Sequence, residues 1–263
     1  MDPLLEKQSE SEKEEGYTLP LRPIWLFSEQ TMLVEDGFPL LTEDLPPMED
    51  DPLHFRPPLP FHPEFETLPL PPFHWRSFCA NSNPHAVQWM LQHPTCISGW
   101  GLSRNANDQA VTWLFDHPSL QHWDEMGRNA NDRVVQWMLS RPNRLTWWGL
   151  VNLYSNPHPD IVAFLLSAQY NRMMFSSNAN DRALDIVLNS SPPEINWVDL
   201  SKNANDRAVD LLLQHPEYID GKGMSVNTNP RALHWLTQHP QHITEDIWSN
   251  PMLFAFEHSY LLK

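Results

Sequence analysis

One pattern recurs eight times along this chain and constrains the fold more than any bulk property. Aligned on Asn-x-Asn, it reads NSNPHAVQWMLQHP from Asn81, NANDQAVTWLFDHP from Asn105 and NANDRVVQWMLSRP from Asn129. A divergent copy, YSNPHPDIVAFLLS, starts at Tyr154, followed by NANDRALDIVLNSSP from Asn178, NANDRAVDLLLQHP from Asn203 and NTNPRALHWLTQHP from Asn227. A truncated copy, WSNPMLFAFEHSYLLK, starts at Trp248. Successive starts lie 24, 24, 25, 24, 25, 24 and 21 residues apart. Units this short cannot bury an apolar face alone, so a stacked array is expected.

The second Asn of the motif stands in every copy, at Asn83, Asn107, Asn131, Asn156, Asn180, Asn205, Asn229 and Asn250, each followed by Pro or Asp. That is the chemistry of a helix start. Asn accepts a bond from a free amide, Pro fits the first helical position, and Asp favours the positive end of the dipole. Apolar residues then recur at helical spacing, as in Ala208, Val209, Leu211, Leu212 and Leu213, until a proline such as Pro216 ends the run. Helices of ~10 residues are unstable alone. A weaker pattern, as in EINWVDLSK from Glu194, predicts a short return helix. Two such helices per copy predict an all-α fold, an α-solenoid of about eight helix-turn-helix repeats over residues 76–263 with the last copy as a C-terminal cap. The fourth copy carries an extra residue around His158-Pro159-Asp160, behind the aromatic stretch TWWGLVNLYS.

Residues 1–75 are different. They hold 14 of the 26 prolines and 16 Asp and Glu against 4 Lys and Arg, so most of the net charge of −16 sits there. This composition predicts an extended or disordered acidic arm. Its aromatic anchors, Ile24-Trp25-Leu26-Phe27 and then Phe55, Phe61, Phe65, Phe73 and Trp75, suit an arm that lies along its own repeats or docks onto another protein. A loosely held tail with incidental aromatics is the alternative. The chain opens MDPLLEKQSESEKEE, without a basic n-region or apolar h-region, and Cys79 and Cys96 are its two cysteines. A protein of the intracellular, cytoplasmic compartment, without a membrane span or disulfide scaffold, is expected.

Four histidines, His93, His117, His215 and His239, precede prolines at one repeat position, where Arg141 interrupts the row. Helix spacing of about 8–10 Å disfavours a shared metal, and a His or Arg there suits the free carbonyls of a helix C-terminus. Arg133, Arg182, Arg207 and Arg231 form a second row, with Asp132, Asp181 and Asp206 beside three of them for local neutralisation. Trp89, Trp113, Trp137 and Trp235 exchange with Ile186 and Leu211, which suits packing rather than base stacking. No phosphate loop, nucleophile elbow or paired-histidine motif occurs, so no catalytic residue, cofactor or metal is assigned.

In SNPHAVQWMLQHPTCI, NPRALHWLTQHPQHI and INWVDLSKNAN the chain resembles the short Asn-Pro-Asn-type helical repeats of large nucleocytoplasmic DNA viruses, over about residues 79–263. It differs from them in preferring NAND and in its His and Trp content. The resemblance implies an α-solenoid without catalytic residues, and a viral origin. The expected function is a non-enzymatic protein–protein scaffold, with Trp147, Trp148, Tyr154 and Ile24 to Phe27 as partner contacts. A virion or capsid-associated tethering protein is the more specific alternative. A one-base-per-repeat nucleic-acid binder is disfavoured by the acidic charge.

Overall fold

The computed structural model describes residues 56–66, 68–167, 172–189 and 195–254. Among these the chain is all-helical, and its one extended pairing is an isolated antiparallel bridge between Phe61 and Phe254. In chain order the copies pair α1 (Trp75–Phe78) with α2 (Pro84–Leu91), α3 (Gly99–Arg104) with α4 (Asp108–Asp116), and α5 (Trp123–Met126) with α6 (Asp132–Leu139). Next come α7 (Trp147–Leu153) with α8 (Pro159–Ser167), and a 3-10 turn (Arg172–Ser177) with α9 (Asp181–Leu188). The series continues with α10 (Trp197–Leu200) and α11 (Asp206–Gln214), then α12 (Gly221–Val226) and α13 (Pro230–Gln238). It closes with two 3-10 turns, Glu245–Ser249 and Pro251–Leu253. The second helices end two or three residues before Pro94, Pro118, Pro142, Pro216 and Pro240, as expected, and each of these prolines then opens a one-turn 3-10 helix, because proline needs no N–H at a first position.

The copies are joined by one asparagine each. Asn105 donates both Nδ2 hydrogens to the previous copy, to the carbonyls of Cys79 (3.0 Å) and Asn81 (2.8 Å). Asn129, Asn156, Asn178, Asn203, Asn227 and Asn250 repeat this pair of bonds at 2.7–3.0 Å. Each Oδ1 meanwhile accepts from the amide two residues on, as Asn203 does from Asn205 at 2.9 Å. These residues are at most 1 % exposed, so every polar atom of the side chain is buried and satisfied.

The ladder has no free end. Asn81 in the first copy donates to the carbonyls of Trp248 (3.0 Å) and Asn250 (2.9 Å) in the last. Eight rungs therefore form a closed circle of hydrogen bonds. The carbonyls of the last copy, expected from sequence to be a terminal cap, are acceptors for the first copy, as any internal copy's are for the next.

Two layers flank the circle. Three residues before each ladder Asn stands a buried apolar side chain: Phe78, Leu102, Met126, Leu153, Phe175, Leu200, Met224 and Ile247. The second helices meet them with a repeated triad at i, i+1 and i+4, such as Ala208, Val209 and Leu212. First helices approach one another closely. A Cβ on Gly101 would lie 2.2 Å from the Arg76 carbonyl oxygen, and one on Gly223 would lie 2.6 Å from the Ser201 Cβ. In a closed circle the more tightly spaced layer is the inner one, which places the first helices inside.

Replacing Asn203 by Ala strands two buried carbonyls and an amide. Unsatisfied buried groups cost about 1–3 kcal/mol each, whereas losing an N-cap costs about 1 kcal/mol. Asn203→Ala is therefore expected to lower stability by at least twice as much as Asn205→Ala, read from urea denaturation followed by circular dichroism.

Candidate functional site

The second-Asn residues divide by geometry. Asn83, Asn107, Asn131, Asn180, Asn205 and Asn229 each accept from the amide two residues on and start a second helix. Their Nδ2 groups also reach the preceding copy, as when Asn205 donates to Ala179 O (3.2 Å) and Asp181 Oδ1 (2.7 Å). Asn156 differs from the expectation, because it is a ladder residue and does not cap a second helix, whereas Asn250 is a ladder residue that also caps as expected. In the fourth copy His158 takes the cap position. Its Nδ1 accepts from Asp160 N (3.2 Å), so Nε2 carries the proton and donates to Asp132 Oδ1 at 3.0 Å. Asn250 holds the ladder and caps a single 3-10 turn. The extra length of the fourth copy lies ahead of Asn156, where α7 has 7 residues against 4 in α5, and not around His158-Pro159-Asp160.

The junction of first and last copies is covered by residues assigned from sequence to the arm. The His62 amide donates to Leu253 O (2.9 Å), and Trp248 Nε1 donates to Pro72 O (2.9 Å). The Phe61 ring lies 5.1 Å from Phe254, while Phe73 lies 4.9 Å from Trp248 and 5.1 Å from Phe78. Phe65 is fully buried, and its turn (Pro63–Phe65) packs on α13. Residues 56–75 thus join copies one, seven and eight, so packing does not change character at the expected 75/76 boundary. The described part of the arm lies along its own repeats.

The rows of like residues have local partners. His93, His117 and His239 place Nδ1 2.8–2.9 Å from the carbonyl four residues back, and Arg141 donates to Trp137 O at 3.2 Å. Trp113 and Trp235 stack on His117 and His239, with ring centroids 4.1 and 4.2 Å apart. No group of three or more His, Cys, Asp or Glu able to hold a metal occurs among the described residues. The Arg row is not neutralised by the neighbouring aspartates. Arg207 pairs with Asp185 (2.7 Å) and Arg231 with Asp210 (2.6 Å), both one copy back, while Asp181 and Asp206 accept from the caps of the next copy.

The expected partner contacts separate clearly. Trp147 and Trp148, at the start of α7, are 51 % and 67 % exposed, whereas Trp89, Trp113, Trp137 and Trp235 are half-buried. Tyr154 is not a surface contact: it is 2 % exposed and packs edge-on against Phe175 at 4.9 Å. Ile24, Trp25, Leu26 and Phe27 lie outside the described residues. Sequence reasoning missed the ladder Asn of each motif and, in five copies, the Ser or Cys two before it. Ser103, Ser176, Ser201 and Ser225 accept, through Oγ, the amides of His122, Asn196, Asp220 and Thr244 at 3.0–3.1 Å. Cys79 stands in the same place in copy one and takes the Ser98 amide.

No family model matches the chain, and neither a curated protein nor a solved structure matches it.

Phe65→Ala would empty a buried site beside the junction. A loss of about 3–5 kcal/mol is expected, measured as a lower thermal midpoint in the intact chain. A change below 1 kcal/mol would mean the segment does not hold the junction.

Proposed function

We propose that the chain is a non-enzymatic interaction scaffold, an α-solenoid closed on itself that presents a rigid face to a protein partner. The observation that carries this reading is the exposed pair Trp147 and Trp148 on α7, at the one first helix lengthened beyond its neighbours in copies one to three. Adjacent exposed tryptophans on a packed scaffold have the composition of a binding hot spot. The acidic, proline-rich residues 1–55 supply a second contact in this reading, through Ile24 to Phe27. Kinship with the viral Asn-Pro-Asn repeats, a place in the host cytoplasm and a tethering role in the virion belong to the same proposal. Two free, buried cysteines are compatible with a reducing compartment, and no helix among the described residues is long and apolar enough to cross a membrane.

Affinity capture from the native source, with wild-type chain and Trp147→Ala/Trp148→Ala compared by quantitative mass spectrometry, tests the reading. A partner held by wild type and lost at least tenfold from the double variant is expected, since each hot-spot tryptophan contributes about 2 kcal/mol or more. Equal capture by both chains would remove α7 from the binding face.

A further inference from the structure

Three guanidinium groups from three successive copies converge on the first-helix layer. Arg104, at the end of α3, lies with Cζ 3.4 Å from the Trp100 ring centroid, and Arg76 of α1 lies 4.1 Å from the same ring. Arg104 Nε donates to Glu125 Oε2 at 2.5 Å, and Arg128 Nε donates to the neutral Asn152 Oδ1 at 2.9 Å. Arg76 and Arg128 enter no ion pair among the described residues. Three cations therefore share one paired carboxylate, in a chain of net charge −16. Burial, then the charge of Arg128, pushes the Arg104 pKa down to about 10, while Glu125 pulls the other way. The group stays charged at neutral pH, so like charges are being held together at a cost in stability.

The placement is set by helical geometry. Leu102 and Met126, three residues before their ladder asparagines, face the second helices and are fully buried. Arg104 and Arg128 follow two positions later, and Trp100 and, in copy one, Arg76 stand two positions before Leu102 and Phe78, so all four lie on the opposite side of the helical wheel. That side faces away from the second helices.

We propose that Arg76, Arg104 and Arg128 form a binding site for a phosphate oxyanion. Two features of the cluster select this chemistry. Its excess of two positive charges matches a phosphate dianion better than a single carboxylate, and guanidinium forks present several N–H donors to a tetrahedral group. Trp100 is engaged by two of the arginines, so recognition is of the oxyanion and not of a stacked base.

Isothermal titration of the full-length chain, at low salt and in phosphate-free buffer, tests the site with inorganic phosphate, a phosphate monoester such as phenyl phosphate, and acetate. Saturable binding of phosphate, with acetate much weaker, is expected. Arg76→Gln should weaken it about tenfold, the scale of one charge-assisted hydrogen bond, and Glu125→Gln should tighten it severalfold. Binding of the ester as tightly as the free ion assigns the site to a phosphoryl group on a larger molecule. Binding of inorganic phosphate alone assigns it to the free ion. Absence of saturable phosphate binding, or affinity unchanged in Arg76→Gln, would reduce the cluster to packing around Trp100. Should Arg76→Gln lose its helical circular dichroism, Arg76→Lys decides: severalfold weakening sustains the site, and unchanged affinity overturns it.

Discussion

The structure depends on a buried carboxamide used completely. Each ladder asparagine spends two N–H donors on the copy behind it and its oxygen on the turn ahead, which leads into the second helix in seven of the eight copies. Aspartate would lack the donors and put a charge against two carbonyls; glutamine would carry the amide one methylene too far. This one residue satisfies backbone groups that a short helix of four to seven residues otherwise leaves open at its end. It explains how helices too short to persist alone hold their places, since each is fixed to its neighbour by directional bonds as well as by apolar contact.

A ladder of this kind can run on indefinitely or return to its start. Here the described part of the eighth copy ends in one 3-10 turn, and a segment from before the first copy packs on it. Phe61, Phe65 and Phe73 supply apolar area beside that turn. Closing the circle leaves no ladder asparagine exposed among the described residues, which answers the problem that open repeat arrays meet with dedicated polar caps.

Much of this was legible from residue order. The period, the helix starts, the short return helices and the fit of histidine to helix ends all follow from propensity and capping chemistry, as Asn205, EINWVDLSK and His239 illustrate. The register of copies four and eight was not. Where Asn-x-Asn shrinks to Ser-Asn, pattern matching assigned Asn156 and Asn250 the role of the second Asn in the motif. The apolar residue three positions earlier, Leu153 or Ile247, marks them as ladder residues instead. Closure was hidden for a different reason: no local pattern states that position 81 meets position 250. Trp100 between two arginines is likewise a product of neighbouring copies, and composition spreads its three cations invisibly through an acidic chain.

The most direct test of the closed circle compares Asn81→Ala with Asn203→Ala in urea denaturation of the full chain. In a closed ladder Asn81 is an internal rung, buried and bonded to Trp248 and Asn250, so the two substitutions should destabilise to within about 0.5 kcal/mol of each other. In an open array Asn81 would face water with no copy behind it. A loss of only a few tenths of a kcal/mol for Asn81→Ala, beside a loss of several-fold greater size for Asn203→Ala, would contradict closure.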